Sequence, residues 1–402
     1  MGIRNLLAII LVLGLAIEAK SQDFNTLFNT TKPEVVVKEP VNISLLLPFC
    51  LNRADSNQTS TTKSLVNASL DYYQGARLAL ALSKSTTQIN LDVKDTDLNS
   101  EVLEQMQLTN QLQDKQLVVG PAFTEQIASI SNYLEYYQIP IISPLSDNNL
   151  TNLYNPWLIN SITSNDVHAG KIVEFVTKKH KFTDNILVVS SSDLDDKDFL
   201  NSVQLGFDSH NKTWFVSSLE LINQENFKVE EILPFLRKDS TSIIIIASDN
   251  VPMVTSVMRY LRSKNLTHPT VVYAHPKIAR AATVNVELMQ ALNVHAPIEE
   301  FLNYQNPKVI KFVEEYKKQF GLEPSDFAFK GYNLFSYLSN LIDQHGRDFM
   351  FFVDYKPFPV LGTTFKFESV YNNSPEGKLT AGYRNTHTRM FKFVNYSLIP
   401  AY

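Results

Sequence analysis

The stretch from Leu117 to Asn149, LVVGPAFTEQIASISNYLEYYQIPIISPLSDNN, decides the fold. Its apolar run Leu117–Val119 meets a turn at Gly120-Pro121. Ile127, Ile130, Leu134 and Tyr137 then recur at helical spacing until a second apolar run, Ile139–Ile142. Strand, helix and strand in that order make a βαβ unit, and short strands that are apolar throughout belong to a parallel sheet covered on both faces. Val118, Ile127, Ile130 and Ile141 are its expected core. Each strand runs into a loop carrying hydroxyls and backbone amides, with Thr124 in the first and Ser146 and Asp147 in the second. Open α/β sheets bind ligands beyond the carboxyl ends of their strands, so these loops are candidates for a site.

The same alternation continues outward. Before the central unit, the pattern predicts a strand at 43–47, a polar loop at 52–63 and a helix at 70–83 with Leu70, Tyr73, Arg77, Leu80 and Ala81 on a mixed face. A strand at 89–93 and a helix at 100–112 follow. After Trp157-Leu158-Ile159 the pattern restarts. It predicts helices at 166–179, 196–207, 227–237 and 251–263 and strands at 186–190, 213–217, 243–247 and 271–274. Beyond a short strand at 292–297 come two amphipathic helices, 307–320 and 326–342, with no strand between them, and then β-rich pieces at 364–367 and 390–399 that read as an antiparallel finish. Two doubly wound units in tandem make a cleft.

At 402 residues the chain is long enough for two domains. Its formal charge of −5 and pI near 5.9 come with no long basic run, which argues against nucleic acid as a partner. The opening MGIRNLLAIILVLGLAIEAKSQ has a basic start at Arg4, an apolar core from Leu6 to Ile17 and small residues at Ala19 and Ser21. It reads as a signal peptide cleaved after Ser21, because the apolar core falls short of the ~20 residues a spanning helix needs. Residues 22–40 then read as a linker, and the product is expected outside the cytoplasm with no membrane span after cleavage. The single thiol, Cys50, follows an apolar strand and reads as a buried, inert side chain. Asn-x-Ser/Thr triplets at Asn29, Asn67, Asn211 and Asn265 are what chance supplies in a chain rich in these residues.

Several pieces in order resemble one family. They are ISLLLPF at 43–49, YYQGARLAL at 72–80, LDVKDT at 91–96, LVVGPAFTEQI at 117–127, IPIISPLSDN at 139–148 and NVHAP at 293–297. Together they are similar to the type I periplasmic binding proteins of the branched-chain amino acid receptor family. The opening further resembles a bacterial envelope subgroup in which this domain often follows LysM modules, although residues 22–40 are too few to hold one. The resemblance implies an α/β fold of two Rossmann-like lobes with parallel sheets, joined by three crossovers. Lobe one would comprise 41–158 and 295–343, and lobe two 159–294 and 344–402.

It also implies where a ligand sits. In amino-acid-binding members, hydroxyls and amides of the two lobe-one loops hold the ligand carboxylate, and an aromatic and an acidic residue of lobe two hold its side and its ammonium group. Thr124, Ser146 and Asp147 keep the lobe-one half, either as anion ligands or as turn caps. The lobe-two half departs from the family: Asp195 stands in the aromatic position and Lys277 in the acidic one. Lys277 either favours an anionic ligand or is a solvated surface charge. Asp193, Asp195, Asp196 and Asp198 cluster at a strand-to-helix loop, but their spacing fits no Ca²⁺ loop, and acidic residues at a helix N-terminus are ordinary dipole chemistry. No metal or cofactor is expected.

No enzyme signature is present: no GxGxxG or Walker loop, no GxSxG elbow, no HExxH, and eight scattered His. The expected function is therefore non-catalytic capture of a small anionic or amino-acid-like ligand between two lobes, feeding a membrane transporter or signalling occupancy. A ligand-free scaffold that partners an envelope protein is the alternative, and a eukaryotic receptor ectodomain is a weaker third.

Overall fold

A computed structural model describes residues 38–52, 59–221, 228–374 and 377–402. The expected signal peptide, most of the linker and the Asn29 triplet lie outside the described residues.

The first lobe begins with β1 (Val41–Leu47), α1 (Ser60–Leu82), β2 (Ile89–Asp95), α2 (Ser100–Leu108), β3 (Leu117–Val119), α3 (Thr124–Tyr136), β4 (Ile141–Ser143) and β5 (Leu158–Asn160). The second continues with α4 (Asn165–Lys179), β6 (Ile186–Ser191), α5 (Leu194–Asp208), β7 (Val216–Leu221), β8 (Ser242–Ile246), α6 (Val251–Lys264), β9 (Thr270–Ala274), α7 (Pro276–Arg280), α8 (Val286–Ala291) and β10 (His295–Ile298). The chain returns to the first lobe for α9 (Pro307–Phe320), α10 (Asp326–His345), the short pair β11 (Phe358–Pro359) and β12 (Thr364–Phe365), and the hairpin β13 (Phe367–Ser374) and β14 (Gly377–Asn385). It finishes in the second with β15 (Arg389–Val394) and β16 (Ser397–Pro400).

Two seven-stranded sheets result, ordered β13-β14-β5-β4-β3-β1-β2 and β16-β15-β10-β9-β8-β6-β7. Each is parallel except at the edge made by its late strands, where β13 pairs antiparallel with β14 and β15 with both β10 and β16. The expected α/β fold of two Rossmann-like lobes is what the chain forms. Among the described residues it crosses between lobes three times, at 161–164, 299–306 and 386–388.

The parallel strands are apolar on both faces because both faces are covered. In the first lobe Ile43, Leu45, Val119 and Ile142 face α1 and α10, while Leu46, Val118, Ile141 and Leu158 face the side of α2 and α3. In the second, Leu187, Val189 and Ile244 face the side of α6, and Val188, Ile243 and Ile245 that of α4 and α5. The four core positions expected of the central unit, Val118, Ile127, Ile130 and Ile141, are all fully buried. Cys50 is buried as well.

Several boundaries differ from the sequence reading. Helix α1 starts ten residues early, at Ser60, where the Thr59 side chain accepts from the Thr62 amide and caps it. Its buried stripe is Tyr72, Gly75, Ala76 and Ala79, while Leu70 is exposed. The stripe is small because α1 crosses α10 at close range: a Cβ on Gly75 would lie 2.0 Å from the Ala328 carbonyl oxygen, and one on Gly331 would lie 2.0 Å from that of Tyr72. The segment expected at 227–237 is a 3₁₀ turn at Val229–Phe235 containing Pro234, which removes an amide a longer α-helix would use.

The lobe boundaries shift too. Leu158–Asn160 pairs with β4, so the first sheet extends past 158, and His295–Ile298 pairs with β9 and β15, so lobe one does not resume at 295. The segment 344–402 is divided rather than wholly in lobe two: β14 pairs with β5 of the first sheet, and the chain joins the second at β15.

Candidate functional site

The cleft is built from loops at the carboxyl ends of both sheets. On the first lobe, Thr124 opens α3 and Ser146 lies in the loop after β4. Their hydroxyls are 2.9 Å apart, the Asn148 side-chain amide donates to Thr124 Oγ1 at 3.1 Å, and the Asn148 backbone amide donates to Ser146 Oγ at 3.3 Å. The two candidate hydroxyls thus tie one loop to the other. Thr124 and Ser146 also line a cavity of about 340 Å³ whose apolar wall includes Phe123, Leu145 and Phe327.

On the second lobe, Asp249 follows β8, and Lys277 lies in α7, where the His275 ring accepts from the Lys277 amide. Lys277 Nζ stands 3.0 Å from Asp249 and 3.1 Å from Asp147 across the cleft. Lys277 therefore lies opposite the first-lobe loops, as expected, but its charge is already shared by two carboxylates. Burial works against that charge, yet Asp147 and Asp249 outweigh it and hold the ammonium above its usual pKa. Beside it, burial drives His275 down to about 4, which keeps the imidazole neutral near pH 7.

Asp195 is not brought to this group. It is exposed near the N-terminus of α5 and lines neither cavity. Its neighbour Asp196 turns inward, accepting from Ser191 Oγ at 2.6 Å and from the Asp249 amide at 3.4 Å. Among the described residues, no group of three or more His, Cys, Asp or Glu side chains is placed to hold a metal ion.

Deeper in the cleft the three crossovers are laced together, and the sequence reading missed the residues that do it. Glu299 Oε1 pairs with Arg280 at 3.1 Å and Oε2 with His168 Nε2 at 3.3 Å, while the other His168 nitrogen meets Thr388 Oγ1 at 3.0 Å. Thr163 Oγ1 donates to the His387 carbonyl and the Asn385 side chain to the Ser161 carbonyl, joining the first crossover to the third. Burial pushes the Glu299 carboxyl up, but His168 and Arg280 outweigh it and hold it well below the usual range. Glu300 has no such partner. Burial dominates over Lys330 and Arg280, and its carboxyl is pushed up to about 7. Two adjacent Glu directly after NVHAPI were the available signal, since carboxylates at the end of an apolar strand are unusual. A second cavity, of about 270 Å³, runs from Asp147 and Lys277 at the mouth to Glu299 and Lys330 at the hinge.

Two lobes of this topology, with strand-end loops facing each other over three crossovers, define the type I periplasmic binding protein fold. The chain belongs to the receptor family ligand binding region, which matches residues 71–349. No curated protein matches it. Solved structures with this fold include a protein assigned as a branched-chain amino acid ABC transporter from Rhodospirillum rubrum, 14% identical, with a TM-score of 0.65 and 90% and 100% of the two chains covered. An ABC transporter substrate-binding protein from Desulfitobacterium hafniense, in complex with Leu, is 13% identical with a TM-score of 0.57 over 90% of this chain and 100% of its own. A solute-binding protein of R. palustris in complex with benzoate is 10% identical with a TM-score of 0.54 over 90% and 95%. At these identities the likeness concerns the fold. Among the described residues no helix is long and apolar enough to cross a membrane.

Proposed function

We propose that this protein is an exported, non-catalytic binding protein that closes two lobes around a small solute, as the solute-binding component of an ABC-type uptake system. The observation that carries the reading is the meeting of first-lobe and second-lobe loops around a shared cavity, with Asp147 and Lys277 in contact across it. A ligand touching both faces favours closure by its differential affinity for the closed state. The proposed ligand contacts at the mouth are Thr124, Ser146, Asp147 and Lys277. Asp195 contributes at most to the rim. Because Lys277 replaces the acidic residue that would hold an ammonium group, a neutral or anionic solute is preferred over a free amino acid.

Native mass spectrometry of gently purified protein tests the reading, together with small-angle scattering before and after addition of the candidate solute. A bound small mass and a smaller radius of gyration support it, and a protein that neither carries nor responds to any solute refutes it. The scaffold reading keeps one observation in its favour: the protein's own Lys277 bridges the lobes. Under that reading no solute binds, and the partner is a protein of the cell envelope.

A further inference from the structure

Three cations line the 270 Å³ cavity: Lys277, Arg280 and Lys330. Two are committed. Lys277 is held by Asp147 and Asp249, and Arg280 by the Glu299 carboxylate and, at 2.8 Å, the Glu300 carbonyl. Lys330, on α10, differs. Its ammonium lies 5.8 Å from the centre of the Phe327 ring, and no carboxylate among the described residues comes within salt-bridge distance of it. It also reaches a smaller chamber of about 30 Å³, room for roughly one water. Tyr72 lines that chamber, and its fully buried hydroxyl has no hydrogen-bond partner among the described residues. Between the charged groups the walls carry the apolar Leu145, Ile162, Pro276 and Phe327 beside the polar Thr163, Asn165 and His168.

We infer that the cleft takes a small monocarboxylate with an apolar body, its charged group held by Lys330 at the hinge end rather than by Lys277 at the mouth. The inference rests on the proposed function and names the ligand class for it. The cavity equals roughly nine liquid-water volumes at about 30 Å³ each, enough for an acid of about ten non-hydrogen atoms. The carboxylate would restore to Lys330 the charge-assisted hydrogen bonds that water supplies in the open protein. An amino acid fits worse, because the carboxylates that line the cavity are already paired, Asp147 with Lys277 and Glu299 with Arg280 and His168.

A proton follows the ligand. Glu300 is faced by Lys330 and Arg280, which favour its charge, and by Glu299 and Asp326, which oppose it, with the Asn333 side chain 3.3 Å away. An anion on Lys330 adds a further negative charge, so binding draws a proton onto Glu300. Affinity therefore rises as pH falls through about 7.

The test is calorimetric titration of the full protein with monocarboxylates from butyrate to phenylacetate, each beside its primary amide, and with leucine. At least one acid is expected to bind, about tenfold or more tightly than its amide. Lys330→Met should bring the acid down to the affinity of the amide and leave the amide unchanged, while Lys330→Arg retains binding of the acid. Binding should tighten from pH 8 to pH 6 with proton uptake, read in buffers of different ionisation enthalpy, and Glu300→Gln should abolish the uptake. Acids and amides of equal affinity, an acid bound as tightly by folded Lys330→Met, or leucine bound more tightly than any acid would overturn the Lys330 assignment while leaving solute capture intact. A folded wild type that binds nothing in the panel overturns the monocarboxylate assignment, and the bound mass in native spectrometry then decides separately whether the cleft captures a solute.

Discussion

In the first lobe the cleft-facing loops spend their polar groups on one another, with Thr124 on Ser146 and Asn148 on both; in the second, the loops after β8 and β9 present the charges Asp249 and Lys277. The second face pairs its own charges, Lys277 with Asp249, whereas the first adds a carboxylate, Asp147, whose ion-pair partner among the described residues lies across the cleft. The difference teaches that one carboxylate of the first lobe, joining a pair the second lobe already makes, carries the electrostatic contact between the two faces. It also separates residues that hold a lobe together from residues that hold the lobes to each other.

The largest effect should come from within a lobe. Ile130 is fully buried under the first sheet, so Ile130→Ala should cost roughly 2–5 kcal/mol in chemical denaturation. If the lobes unfold separately, the loss falls on the first lobe's transition alone, and an unchanged unfolding curve would show that α3 does not pack as described. Gly331→Ala should come next, at about 1–3 kcal/mol, because its Cβ meets the Tyr72 carbonyl and forces α1 and α10 apart.

At the hinge between the lobes the expected sign reverses. Burial raises the Glu300 carboxyl to about 7, so the folded protein keeps a proton that the unfolded chain releases near its ordinary pKa. Stability present below that ordinary value is lost as pH rises toward 7. Glu300→Gln should therefore raise stability at pH 8, by on the order of 1 kcal/mol, and have little effect at pH 4. Equal thermal shifts at both pH values would contradict the buried carboxyl. The smallest effect belongs to the mouth. With its side chain 54% exposed, Lys277 makes ion pairs worth within about 1 kcal/mol, so Lys277→Met should barely move the melting temperature while making the lobes easier to open in small-angle scattering.

The fold was legible wherever apolar runs were short and bounded. LVV lies on its strand, the run 139–142 overlaps the strand Ile141–Ser143, and the helix 307–320 lies where its pattern put it, because Asn306 caps its start and Pro307 opens it. Legibility failed where a helix buries small residues: Gly75, Ala76 and Ala79 carry little hydrophobic signal, so the stripe was assigned to Leu70 and Tyr73 instead. The pieces at 364–367 and 390–399 were legible as an antiparallel finish, but the hairpin β13–β14 between them and the division between two sheets were not, because strand pairing depends on distant partners and leaves no local pattern. At the cleft, the positions of Thr124, Ser146, Asp147 and Lys277 on facing loops were legible from loop position and resemblance. Glu299, His168 and Arg280 were missed because they converge from three separate segments, and the acidic run at 193–198 does not itself tell the exposed Asp195 from the adjacent, inward-turned Asp196.

The woven path has a consequence for how the protein is made. Strand β14 completes the first sheet beside β5, and the Asn385 side chain bonds the Ser161 carbonyl, 224 residues earlier in the chain. Neither sheet is complete until its late edge strands have been synthesised, and long-range pairing meets its loop-closure cost before any contact rewards it. Completion of both edges is thereby deferred to the finished chain. Until β14 arrives, the β5 edge is open to other strands.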